Sequence, residues 1–74
     1  MENLDHDLAL AHALRMFNEN LDDPALARDF ATRVLEEGGH HTAYQFLIDY
    51  YSPNGEEPDT LLVDHYKNLY DEFQ

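Results

Sequence analysis

The 74-residue chain contains no cysteine and only four basic residues, Arg15, Arg28, Arg33 and Lys67. Without cysteine it can form neither disulfides nor thiolate metal sites, and it has no cysteine nucleophile. Because a secreted domain of this size usually carries disulfides, we expect a cytoplasmic protein. The shortage of basic residues argues against direct binding to nucleic-acid phosphates or to anionic membrane surfaces.

Long apolar runs are missing as well. The N-terminal segment of residues 1–5 carries a net negative charge and lacks the basic and apolar regions of a signal peptide. No segment approaches the roughly 18 apolar residues that would span a bilayer. Nevertheless, 43% of the residues are hydrophobic, and they include five Tyr and four Phe. This is too much apolar material for a disordered acidic tail, so we expect one small folded domain over residues 1–74.

Apolar residues recur at steps of three and four along most of the chain, which is the periodicity of α-helices. Asp23-Pro24 is a helix-start signal, and Gly38-Gly39 is a helix-end signal. Thr42, with Gln45 three residues later, predicts a capping box at the start of a third, mostly apolar helix that packs on more than one side. The pattern predicts an all-α bundle of four helices at about 4–20, 24–37, 41–51 and 60–73.

The sixteen acidic residues give a net charge of −12, and this charge lies mainly at the two ends of the chain. Residues 1–23 and 56–74 hold most of the acids, whereas the middle of the chain is nearly neutral. If the first and last helices are neighbours, their outer faces form one acidic surface. Carboxylates three or four residues apart on a helix lie ~6 Å apart, similar to phosphates along a nucleic-acid strand. The predicted partner-binding residues are Asp5, Asp7, Glu19, Asp22, Asp23, Glu56, Glu57, Asp59, Asp64, Asp71 and Glu72.

Such a surface predicts a small acidic inhibitor that occupies a basic, nucleic-acid-binding surface of a partner protein. In size, acidity and lack of catalytic residues, the chain resembles small phage-encoded inhibitors such as DNA-mimic anti-restriction and anti-CRISPR proteins. This is a likeness of type and involves no shared motif.

Other interpretations of the same composition stay open. The protein could be a structural or adaptor subunit that binds through apolar patches, such as Leu4, Leu8 and Ala11, while its charge serves solubility or adaptation to high salt. Apolar patches of this kind could also support a homodimer, so monomer and dimer are both open.

Catalytic and cofactor-binding patterns are weak. Ser52, the single serine, lies beside a proline, and the sequence has no nucleophile–base pattern and no phosphate-binding loop. Two acids precede His40 and His41, but Gly38-Gly39 interrupts the helix between them. We therefore interpret these histidines as loop or capping residues rather than metal ligands. We expect neither enzymatic activity nor a cofactor.

Overall fold

A computed structural model describes residues 2–74, with side chains from residue 7 onward. The described residues form four α-helices and no strand, which confirms the predicted all-α bundle. The helices are α1 (Glu2–Glu19), α2 (Pro24–Glu36), α3 (His41–Tyr50) and α4 (Thr60–Phe73). The predicted bounds agree with these to within two residues.

Aspartates cap two of the four helices. The Asp23 carboxylate accepts the backbone N–H of Leu26 at the start of α2, and Pro24 takes the first helical position, as predicted. Asp59 caps α4 in the same way, because its Oδ1 accepts the N–H groups of residues 61 and 62. Each cap satisfies amide groups that have no partner inside the helix.

The start of α3 differs from the prediction. The predicted capping box of Thr42 and Gln45 is wrong, because the helix is capped by His40, whose Nδ1 accepts the N–H of Thr42 at 3.3 Å. Gly38 and Gly39 both have positive φ, at 127° and 88°, and they end α2 as predicted. This left-handed turn brings the chain back into a helix at residue 41, so Thr42 already lies inside the first turn.

The helices pack antiparallel and in chain order, α1 on α2, α2 on α3 and α3 on α4. The central helix α3 therefore has a neighbour on two sides, as its broad apolar arc predicts. Leu47 and Val34 are the largest fully buried side chains. The core residues are Ala13, Phe17, Ala27, Ala31, Val34, Ala43, Leu47, Tyr50, Tyr51 and Val63.

Aromatic rings join α3 to α4. The Tyr44 ring lies 5.0 Å from that of Phe73 and 5.5 Å from that of Tyr70, and the Tyr51 ring lies 5.9 Å from that of Tyr66. These pairs fix the direction of α4, because its last turn packs beside the first turn of α3.

The first and last helices do not share an interface of comparable extent within the described part of the chain. Each connection returns the chain beside the helix it has just left, so α1 and α4 lie at opposite edges of a flattened array that measures 41 × 28 × 14 Å between Cα atoms. The condition for one merged acidic surface, that α1 and α4 are neighbours, is therefore not met. Among the described residues, no helix is both long and apolar enough to cross a membrane.

Candidate functional site

The predicted acidic residues whose side chains are described are all exposed to solvent. They are Asp7, Glu19, Asp22, Asp23, Glu56, Glu57, Asp59, Asp64, Asp71 and Glu72. The side chain of Asp5 lies outside the described residues.

The antiparallel packing gathers many of these acids at one end of the bundle. Here α1 ends, α2 begins, α3 ends and the loop of residues 51–59 leads into α4. Leu21 and Pro24 face Asp49 and Glu56 across one groove, so the two acidic connections lie next to each other. We call this region the acidic end and define it by seven carboxylates, those of Glu19, Asp22, Asp23, Asp49, Glu56, Glu57 and Asp59.

The remaining predicted acids lie elsewhere. Asp71 and Glu72 belong to the last turn of α4, where Phe73 packs on Tyr44 at the start of α3. Asp7 lies in the first half of α1, which ends at the acidic end and begins at the other side of the array. We call this the opposite end. Asp64, in the second turn of α4, lies between the two ends.

The acidic end is a patch rather than a row along a helix. Five of its carboxylates belong to connections, those of Asp22, Asp23, Glu56, Glu57 and Asp59. The predicted helical spacing of three or four residues, similar to that of phosphates, therefore does not describe them.

Some carboxylates of the acidic end also stabilise the fold. Asp23 and Asp59 are the helix caps, and Glu19 pairs with Arg15 at 2.8 Å across one exposed helical turn. An exposed pair of this kind contributes little to stability. By contrast, Asp22 and Glu56 form no ion pair with any described residue, and neither does Asp49. These three exposed carboxylates are accessible to a partner.

Arg28 is the most extensively bound basic residue of the acidic end. Its guanidinium lies 5.5 Å from the centre of the Tyr50 ring and donates to Glu57 at 2.9 Å and to Asp29 at 3.2 Å. The hydrogen bond to Asp29 raises the pKa of Arg28 above its ordinary value, against the opposing effect of desolvation. The arginine is thus charged and already occupied by partners within its own chain.

Backbone hydrogen bonds fix the 51–59 loop to the end of α3. The N–H of Glu57 donates to the Tyr50 carbonyl at 3.0 Å, and that of Asp59 donates to the Tyr51 carbonyl at 2.9 Å. Earlier in the loop, Gly55 packs directly on the carbonyls of Asp49 and Tyr50. Glu56 and Glu57 therefore project from an anchored loop.

Sequence reasoning missed the groove that these elements enclose. Its volume is about 500 Å³, and it is lined by Leu21, Pro24, Phe46, Asp49, Tyr50, Asn54, Gly55 and Glu56. Asp49 belongs to the polar strip of α3 and could have been noticed as the single acid among residues 40–55. The groove itself joins residues about 30 positions apart, and no local pattern reports that contact.

The described part of the chain contains no candidate metal site. No group of three or more His, Asp or Glu residues there could hold a metal ion. His40 caps α3, in agreement with the interpretation of these histidines as loop or capping residues. Its ring stacks on that of His41, with the ring centres 4.5 Å apart. Comparison of the chain with protein-family models, with curated proteins and with solved structures finds no match.

Proposed function

We propose that the protein is a small acidic inhibitor that binds a basic, nucleic-acid-binding surface of another protein and thereby blocks it, as DNA-mimic anti-defence proteins of phages do. The observation that carries this proposal is the acidic end, where seven carboxylates are exposed and two of them, Asp49 and Glu56, line one groove. Its arginines, Arg15 and Arg28, are already paired with acids of the chain.

Electrostatics favours a basic partner. Like charges gathered at one end repel each other, and this repulsion lowers the stability of the folded chain until a positive surface neutralises them. The same field attracts a basic protein from a distance and raises the rate of association. A nucleic-acid-binding surface is the commonest extended basic surface on proteins, since it must meet a row of phosphates.

The mimicry that we propose is one of charge density. The carboxylates of the acidic end lie in two adjacent connections, so they present a compact negative patch rather than a helical rod. Such a patch covers part of a phosphate-binding surface and excludes nucleic acid from it by direct overlap.

A second candidate function is that of an adaptor that binds through apolar side chains. Leu61 at the start of α4 is 82% exposed, and Leu8 on α1 is 61% exposed. These leucines lie on different helices and do not line the acidic groove. An adaptor that used them would bind with little dependence on salt, because apolar contacts are not screened.

The test uses two variants that lose the same charge at different ends. Asp22→Asn with Glu56→Gln removes two charges from the acidic end without touching a helix cap or an ion pair. Asp71→Asn with Glu72→Gln is the matched control at the opposite end. Each double variant and the wild-type protein are immobilised, and partners are captured from extracts of candidate host cells at low and at moderate ionic strength.

We expect the wild-type protein and the opposite-end variant to capture the same basic nucleic-acid-binding protein, and the acidic-end variant to lose most of it. We also expect capture to fall steeply as salt increases. Capture that is indifferent to salt and equal for all three proteins would contradict the inhibitor proposal, and it would favour the adaptor.

A further inference from the structure

We infer that the groove of the acidic end is a binding site for one arginine side chain of the partner, which inserts between the Asp49 and Glu56 carboxylates and against the Phe46 and Tyr50 rings. This inference rests on the proposed function and adds the chemical group that the partner must present.

The lining of the groove combines charge with aromatic surface. Asp49 and Glu56 supply carboxylates that have no ion pair among the described residues, while Phe46 and Tyr50 supply rings whose centres lie 5.9 Å apart. A volume of about 500 Å³ exceeds that of a single side chain and falls in the range of sites that enclose small ligands. An anionic ligand would be repelled by both carboxylates, and a purely apolar one would leave them without a partner.

The chain already binds one guanidinium in this manner beside the groove. Arg28 packs on Tyr50, with its carbon Cζ 5.5 Å from the ring centre, and its Nη1 donates to the Glu57 carboxylate at 2.9 Å. Tyr50 also lines the groove, together with Glu56. A glutamate carboxylate and the Tyr50 ring therefore occur together twice. Beside Arg28 they bind its guanidinium, and in the groove they are open to a ligand.

Arginine suits the groove better than lysine does. Its planar guanidinium stacks on aromatic rings and can donate to two carboxylates at once, whereas an ammonium is a compact, strongly hydrated charge. The apolar stem of the arginine would lie along Leu21, which is 51% exposed at the edge of the groove.

The geometry of the groove is set before a ligand arrives. Asp49 lies on α3, and the position of Glu56 is fixed by Gly55 and by the hydrogen bond from the Glu57 N–H to the Tyr50 carbonyl. A site on an anchored backbone loses less conformational entropy on binding than one whose loop must first be ordered.

The test is an NMR titration of the full chain with three short blocked peptides that differ at one position, which is arginine, lysine or citrulline. Citrulline has nearly the shape of arginine but carries no charge. The same titrations are repeated with Asp49→Asn/Glu56→Gln and with the matched control Asp71→Asn/Glu72→Gln. Backbone amide shifts identify the bound region, and their dependence on peptide concentration gives the affinity.

We expect the arginine peptide to shift the amides of the groove residues selectively, to bind more tightly than the lysine peptide, and to outcompete citrulline. The Asp49→Asn/Glu56→Gln variant should lose about tenfold in affinity, since each charged hydrogen bond contributes more than a neutral one. The control variant should bind within a factor of about two of the wild type, because exposed charges at the opposite end are screened.

Shifts spread evenly over the acidic residues would overturn the inference, as would equal binding of arginine and citrulline peptides or equal losses in the two variants. Each of these results leaves the proposed inhibitor function intact if the partner is still captured through the acidic end. Failure of capture with a normal peptide titration would instead reject the inhibitor and retain the arginine site.

Discussion

Gly55 holds the acidic loop against α3, and its replacement by alanine is predicted to release that loop. A Cβ added at this position would overlap the Asp49 carbonyl oxygen and would lie 2.5 Å from the Tyr50 carbonyl oxygen and 2.8 Å from its carbon. All three contacts are backbone atoms at the end of a packed helix, so no side chain can rotate away to make room.

Two estimates of the cost agree. Overpacking a tight site costs about 1–3 kcal/mol. If the loop instead moves away, it loses the hydrogen bonds of the Glu57 and Asp59 N–H groups, at about 1 kcal/mol each. Both routes give a loss near 2 kcal/mol, which for a domain of this size lowers the melting temperature by roughly 8–16 °C.

The assay is thermal unfolding followed by far-ultraviolet circular dichroism, combined with amide chemical shifts of residues 49–60. The control is Asn54→Ala, which removes an exposed side chain of the same loop and should change the melting temperature little. A Gly55→Ala protein that melts with the wild type and keeps its loop shifts would refute the close approach of Gly55 to α3, and with it the anchored position of Glu56.

Three further predictions concern the fold. Asp23→Ala should lower the free energy of unfolding by about 1 kcal/mol, while Asp23→Asn should be nearly neutral because asparagine also caps α2; equal losses in chemical denaturation would exclude the cap. Leu47→Ala should cost about 2–5 kcal/mol by leaving a cavity at a fully buried position, and a loss below 1 kcal/mol would place Leu47 outside the core. Burial raises the pKa of Tyr51 above 10.0, so the stability that its protonated phenol contributes is full below that pH and is lost as pH rises through the folded-state pKa. Tyr51→Phe should therefore reduce the alkaline loss of stability measured by denaturation above pH 10, and an unchanged alkaline decline would contradict this.

The local signals of the sequence were sufficient to predict the four helices. Asp23-Pro24 and Gly38-Gly39 determine where α2 begins and ends, because helix capping and a left-handed backbone act over only a few residues. The cap of α3 was missed because a neutral imidazole nitrogen accepts an N–H as a carboxylate does, and histidine is not among the usual capping residues.

The arrangement of the helices was harder to predict. Four amphipathic helices can close into a square, with α1 beside α4, or spread into the flattened array observed here, and periodicity is the same in both. The sequence therefore did not predict which acids lie close together in the fold. Arg28 shows the same limit, since its partner Glu57 lies 29 residues away and no local spacing relates them.

The placement of the acids changes where the negative charge can act. The nearly neutral middle and the acidic ends of the chain suggested that the charge lies on the outer faces of two helices. In the structure, the groove instead brings together Leu21 and Pro24 of one acidic connection and Glu56 of the other. Two carboxylates of the acidic end also make contacts within the fold, because Asp23 caps a helix and Glu57 binds Arg28. Variants that test binding must therefore spare those two residues.

Competition with DNA tests the central claim most directly. A partner captured through the acidic end is mixed with a fluorescent DNA duplex that it binds, and the wild-type protein or its Asp22→Asn/Glu56→Gln variant is added in increasing amounts. If the acidic end occupies the nucleic-acid-binding surface, the wild-type protein releases the DNA completely, the variant requires a much higher concentration, and no complex contains all three components. A stable complex of partner, DNA and wild-type protein would contradict the proposed function.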